Sequence, residues 1–191
     1  MLRLGLTGGI ASGKTAVAGM LREMGFAVLD ADSLAHKLIE PGQLAYYEVA
    51  REFGPDIVAS NGYINRAKLA RLNAIIHPRV EAAAMRQLDE WGRHGTREAA
   101  FVEAALLVEA GYQKILDGLV VTWCPPEQQL ERLRTRGLTE EEARQRIAAQ
   151  LPSREKVRYA TEKIDCSGTL QATRRQVEAL AAKLRRPAPQ P

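Results

Sequence analysis

Gly8-Gly9-Ile10-Ala11-Ser12-Gly13-Lys14-Thr15 constrains this chain more than any other stretch. It satisfies the pattern G-x-x-x-x-G-K-[ST], a loop that only makes sense between a buried strand and a helix. That context is present: an apolar run over 3–7 precedes the loop, and Val17, Met20, Leu21 and Met24 give the following 14–24 an apolar helical face. Each part has a physical reason. Glycines let successive backbone N–H groups point inward around a phosphate with no Cβ in the way. A helix starting near Gly13 aims its positive end at the same place. Lys14 adds a full charge for the β- and γ-phosphates of ATP, and the Thr15 hydroxyl is offered to Mg²⁺. The expected nucleotide contacts are Gly8, Gly9, Ala11, Ser12, Gly13, Lys14, Thr15 and Ala16. A chance glycine-rich turn would not bring strand, spacing, lysine and threonine into register together.

The remaining pattern alternates strands and helices. Further strands are expected over 26–29, 99–104, 119–123 and 163–165. Helices are expected over 33–39, 43–53, 66–76, 79–91, 127–136, 139–149 and up to about 185, with Ser60-Asn61-Gly62 as a turn. His77-Pro78 reads as a break, Pro78 opening the second of two helices. Thr139 with Glu142 three residues on forms a capping box. Such alternation implies an α/β fold, a P-loop-type parallel five-stranded sheet flanked by helices. About seventy residues separate the second and third strands, far more than a crossover needs. The organisation expected is therefore one kinase-like domain over 1–186: a core of 1–32, 96–125 and 160–186, a helical substrate-binding insertion at about 33–95, and a helical lid at about 126–159. The proline-rich 187–191 reads as a disordered tail.

Charge and cysteine content exclude several classes. The net charge of +4 suits a phosphate handler, but the basic clusters are interleaved with acids and carry no alternating aromatics, so nucleic acid is not expected as a partner. Cys124 and Cys166 lack the spacing of a zinc site and suit a reducing, cytoplasmic setting. The most apolar later stretch, 99–110, is interrupted by Glu103 and Glu109, so no membrane association is expected. With a strand beginning at Leu2, no signal peptide is read ahead of the loop.

Base-reading Asn-Lys-x-Asp of switch GTPases is missing, and the chain is short for a motor ATPase. An acidic pair, Asp30-Ala31-Asp32, instead closes the second strand. A carboxylate there can take the proton of an attacking hydroxyl and orient it towards the γ-phosphate. Asp30 suits a helix N-cap, leaving Asp32 as the candidate base. Arg132, Arg134, Arg136, Arg144, Arg146 and Arg154 fit a helical lid over the transferring phosphoryl group. Arg132 and Arg136 share a helix face, and Arg136 is the preferred catalytic arginine, with Arg144 and Arg154 solvated.

These residues resemble the dephospho-coenzyme A kinase family over nearly the whole chain. The pieces are the loop itself, Asp30-Ala31-Asp32 with Ala35, Glu40-Pro41-Gly42, Phe53-Gly54-Pro55-Asp56-Ile57, Ile76-His77-Pro78-Arg79, Leu106-Leu107-Val108-Glu109-Ala110-Gly111, Gln129-Leu130-Glu131-Arg132-Leu133, Arg146-Ile147 with Gln150, and Ile164-Asp165-Cys166-Ser167-Gly168. The resemblance implies ATP-dependent phosphorylation of the ribose 3′-hydroxyl of dephospho-coenzyme A. Asp32 matches the family's base, and His77 and Arg79 match its substrate-side helices. Glu103 keeps the carboxylate of the third strand, for Mg²⁺ through water or for the substrate. Departures are His36 where arginine is usual, Glu103-Ala104-Ala105 in place of Asp-x-Pro, Cys166 in place of asparagine near the adenine, and a short 66–77 stretch in the substrate region. A monomer is expected. Two other readings stay open: a P-loop kinase for another small hydroxyl acceptor (nucleoside, nucleotide or sugar-like), and a nucleotide-binding module without catalysis.

Overall fold

The computed structural model describes residues 1–54, 57–58, 73–95 and 98–185. They fall into two compact units, Met1–Val28 with Trp91–Pro191, and Leu29–Glu90.

The first unit is built on a five-stranded sheet of order β2-β3-β1-β4-β5. β1 (Leu2–Gly8) is central, between β3 (Ala99–Glu103) and β4 (Gly118–Trp123). It runs parallel to both, from Leu2↔Ala99 to Leu6↔Glu103 and from Leu4↔Gly118 to Gly8↔Thr122. β5 (Glu162–Asp165) pairs with β4 in the same sense, ending at Trp123↔Asp165. β2 (Ala27–Asp30) completes the sheet. Strands buried on both faces read as continuous apolar runs, and β3 is buried at every position.

α1 (Lys14–Glu23) and α8 (Leu170–Leu184) cover one core. In it Val17, Ala18 and Leu21 of α1, and Val177, Leu180 and Ala181 of α8, pack with Leu4, Leu6, Phe101 and Ile164 of the sheet. Phe26 meets Phe101 edge to face at 5.7 Å. α5 (Pro126–Thr135), α6 (Glu140–Ala148) and the short α7 (Ser153–Val157) connect β4 to β5. The capping box at Thr139 is present: its hydroxyl accepts from Glu142 N–H, and Glu142 Oε2 accepts from Thr139 N–H at 2.8 Å. Because the strands run parallel, their carboxyl ends gather the phosphate loop, Glu103, Thr122 and Cys166 at one edge, where open α/β sheets bind ligands.

The second unit contains α2 (Ala31–Leu38), α3 (Leu44–Phe53) and most of α4 (Asn73–Arg93). Asp30 Oδ1 accepts from the N–H groups of Asp32 and Ser33, both at 3.0 Å, so α2 begins two residues before the expected 33. The expected break at His77-Pro78 does not occur, and α4 runs through Pro78 without interruption. The proline lies in the second turn and removes the donor for a single carbonyl. Ile76, Val80, Ala84 and Leu88, all buried, continue one stripe across it. The turn at 60–62, most of the expected 66–76 helix with its shortened stretch, and the tail lie outside the described residues. Among the described residues no helix is long and apolar enough to cross a membrane.

Candidate active site

The loop leaves β1 at Gly8 and enters α1 at Lys14 with Gly13 as N-cap. Gly13 sits at φ 101°, and a Cβ there would lie 2.8 Å from both Cβ and Sγ of Cys166. Glycine is required at that position twice over, for its conformation and for its space. Ala11 adopts φ 57° without being glycine, a conformation that costs about 1–2 kcal/mol and must be held from outside. Its carbonyl accepts from Arg132 Nη1 at 3.1 Å, and the Cys124 thiol lies against it at 3.9 Å.

The neighbouring carbonyls are held in the same way. The Ile10 carbonyl accepts from Gln129 Nε2 at 2.6 Å, and the Gly9 carbonyl accepts from Ser12 N–H at 3.1 Å. Loop carbonyls thus have partners on the protein side. Ser12 itself is anchored, its hydroxyl 2.7 Å from that of Thr122, which also bonds the Thr7 carbonyl at 3.3 Å.

Lys14 Nζ donates to Glu103 Oε1 at 2.8 Å, while Arg22 reaches Glu103 Oε2 at 3.2 Å. The Glu103 side chain is 6% exposed, so its charge is buried between two cations. The pair fixes the ammonium of Lys14 beside the loop. A cavity of about 330 Å³ opens there, lined by the loop from Gly9 to Ala16 and by Ala105, Arg136 and Gln150. A second cavity of about 270 Å³ shares Ala11, Gly13, Ala16 and Arg136 with it but is walled by Cys166, Leu170 and Thr173. Burial pushes the Cys166 thiol up to about 11, so it stays protonated and uncharged there.

The residues expected from the sequence divide between the two units. Gly8, Gly9, Ala11, Ser12, Gly13, Lys14, Thr15, Ala16, Glu103 and Arg136 belong to the first, where Thr15 and Ala16 are exposed and Arg136 is the exposed C-cap of α5. Asp32, His77 and Arg79 belong to the second. Asp32 is exposed in the first turn of α2, and its carbonyl oxygen lies 2.6 Å from His36 Nδ1. His77 is half-buried within α4, and Arg79 forms an ion pair with Glu48.

Three residues brace the loop and a fourth is buried near it; Gln129, Arg132 and Gln150 stand among those that carry the family resemblance, but their partners are not marked locally. Arg132 lines the smaller cavity with Arg136, and its guanidinium braces the Ala11 and Cys166 carbonyls, the latter at 2.6 Å. Gln129 and Gln150 bond the two backbone groups of Ile10. Lys156 is fully buried, donating to the Ala105 carbonyl at 2.5 Å and pairing with Glu109 at 2.8 Å. Burial lowers its pKa, and Glu109 opposes that shift. Among the described residues no cluster of three or more His, Cys, Asp or Glu could hold a metal on its own.

Comparison with known proteins bears on this arrangement. Residues 2–172 match the family described as dephospho-CoA kinase (CoaE). A dephospho-CoA kinase of Symbiobacterium thermophilum is 44% identical, the match covering 92% of this chain and 78% of that protein. One from Geobacillus kaustophilus is 42% identical over 94% of each. Among solved structures, that of TT1252 from Thermus thermophilus superposes with a TM-score of 0.81 at 34% identity, covering 96% of this chain and 97% of that one.

Proposed function

The chain belongs to the dephospho-CoA kinase family, and from that membership we propose which of its own residues carry the reaction. The reaction is ATP-dependent phosphorylation of the ribose 3′-hydroxyl of dephospho-coenzyme A, giving coenzyme A and ADP in the last step of coenzyme A biosynthesis. The observation that carries the residue assignment is Lys14, fixed by the buried Glu103 beside a loop whose carbonyls are turned to protein partners.

ATP phosphates occupy the larger cavity, held by the amides of Gly9, Ala11, Gly13, Lys14, Thr15 and Ala16, with Ser12, whose N–H bonds the Gly9 carbonyl, shaping the loop and Gly8 delivering the chain from β1. Lys14 stabilises charge on the γ-phosphoryl as it transfers, and Arg136, carried on the lid over 126–159, adds a second cation there. The smaller cavity takes the base. Asp32 accepts the proton of the 3′-hydroxyl, so the nucleophile forms in line with the phosphoryl group. The helical insertion over 33–95 receives the coenzyme A moiety, with His77 and Arg79 as its contacts.

Mg²⁺ fits the groups at hand. An ion held mainly by substrate phosphates needs only one or two protein oxygens, and the exposed Thr15 hydroxyl lines the phosphate cavity. Glu103 has both oxygens on cations, so any contribution from it passes through water. When bound, such an ion would supply positive charge to offset the negative charge developing on the phosphate oxygens. The reading extends to a monomer and to a cytoplasmic setting, the latter supported by the two free, buried cysteines.

The test is to incubate the protein with Mg·ATP and either dephospho-coenzyme A or nucleoside monophosphates, following ADP release and identifying coenzyme A by mass. Turnover with dephospho-coenzyme A should far exceed the rest. ATP binding without transfer to any acceptor would overturn the assignment.

A further inference from the structure

One loop amide, Ser12 N–H, closes a turn onto the Gly9 carbonyl at 3.1 Å, and the loop holds a second engaged amide. The loop's carbonyls at Gly9, Ile10 and Ala11 bond protein groups, as a phosphate site requires. The Ile10 N–H, however, is also taken: it donates to Gln150 Oε1 at 2.9 Å. Ile10 and Gln150 both line the larger cavity beside Lys14 and Ala105, so this amide borders the space read as the phosphate site. The Ile10 peptide is gripped from both ends, by Gln129 of α5 on its carbonyl and by Gln150, just past α6, on its amide. Nearby, the buried hydroxyl of Ser153 has no hydrogen-bond partner among the described residues, beside a Gly9 whose missing Cβ would lie 2.4 Å from it.

The direction of the nucleotide follows from the two cavities. The one walled by Cys166, Leu170 and Thr173 lacks Lys14 and suits the base, so the phosphate chain runs away from it and ends near Lys14, Ile10 and Gln150. A neutral carboxamide oxygen on that amide is chemically a stand-in for a phosphate oxygen, and a weaker one than a charged acceptor.

We propose that Gln150 is a positioning residue that competes with an oxygen of the terminal phosphate for the Ile10 amide and yields it when ATP binds. Gln129 keeps the peptide turned so that the exchange can take place. The proposal rests on the reading that ATP phosphates fill this loop. ADP, which lacks the terminal phosphate, leaves Gln150 in place.

The experiment is calorimetric titration of ATP and ADP into the wild type, Gln150→Ala, Gln150→Glu and Lys14→Ala. Gln150→Ala removes the competing acceptor, and the preference for ATP over ADP is expected to rise about two- to tenfold. Gln150→Glu holds the amide more strongly and adds a like charge, and the same preference is expected to fall by about tenfold or more. A loss of packing alone would move both nucleotides together, so opposite movement of the ratio is the required result. Any other pattern, including ratios within about twofold of wild type, overturns the proposal. Should Gln150→Ala not fold, Gln150→Leu keeps the volume and carries the same expectation. Undiminished ATP affinity in Lys14→Ala would instead refute the underlying phosphate-loop reading, so the two failures are separable.

Discussion

Replacing Lys14 by alanine perturbs two things at once, and the structure says how to separate them. In the folded protein Glu103 is 6% exposed and divides its two oxygens between Lys14 at 2.8 Å and Arg22 at 3.2 Å. Removing Lys14 leaves a buried carboxylate with only Arg22, itself 43% exposed, for compensation. Stripping a buried charge of its whole complement costs about 3–5 kcal/mol; with Arg22 retained, roughly 2 kcal/mol is the expected loss. For a chain of this size that lowers Tm by about 4–8 °C. The catalytic loss is separate, because one preorganised cation on the transferring phosphoryl group is worth about 10²–10³ in turnover or more. A second substitution distinguishes the effects. Glu103→Gln in the Lys14→Ala background neutralises the orphaned carboxylate, so thermal stability is expected to recover substantially while turnover stays low. Differential scanning calorimetry and a coupled ADP-release assay with dephospho-coenzyme A read the two quantities. Lys14→Ala melting within 1 °C of wild type (roughly the resolution of such shifts), or turnover restored in the double variant, would refute the reasoning.

Three other perturbations follow from the same geometry. Asp32→Asn is expected to leave ATP affinity unchanged and lower turnover by about 10²–10⁴, with near-normal steady-state rates sinking the general-base role. Gly13→Ala forces alanine to φ 101° and into contact with Cys166 at 2.8 Å, so a loss of about 2–4 kcal/mol in denaturant unfolding is expected, together with weakened ATP binding. Cys166→Gly should restore only the steric part of that loss, and a double-mutant cycle measures it. The Cys166 thiol, raised by burial to about 11 from an ordinary value of 9.0, adds stability that is fully present below pH 9 and lost as pH rises through about 11. Unfolding free energies between pH 8 and pH 11 (about one unit below and two above the ordinary thiol pKa) should therefore fall less steeply in Cys166→Ala. An unchanged slope would show that the thiol does not carry the effect.

Local chemistry was legible in the sequence. The phosphate loop, the Asp30 and Thr139 caps and the parallel five-stranded sheet follow from neighbouring residues or strict periodicity, and the structure contains them. Pro78 misled because a proline's local preference for a helix start was outweighed by a buried stripe extending to both sides of it. The supports of the loop were not legible for a different reason. Gln129, Gln150 and Arg132 reach carbonyls or amides 119, 140 and 121 residues away, and glutamine or arginine on a helix carries no mark of so distant a backbone partner. Lys156 sits in an ordinary charged run, and only the tertiary structure reveals that it is fully buried against Ala105 and Glu109.

The central place of β1 also dictates a schedule for making the protein. Leu2 pairs with Ala99 and Leu4 with Gly118, so the strand that carries the phosphate loop leaves the ribosome long before either neighbour exists. At about 5–20 residues per second, the nascent apolar segment waits roughly five to twenty seconds for β3 to be synthesised, and longer for β4. Its sheet contacts are all long-range, which makes this closure a slow step and the waiting segment a target for aggregation or chaperone capture. The part of the chain that names its chemistry first is therefore among the last to become functional as the protein is made.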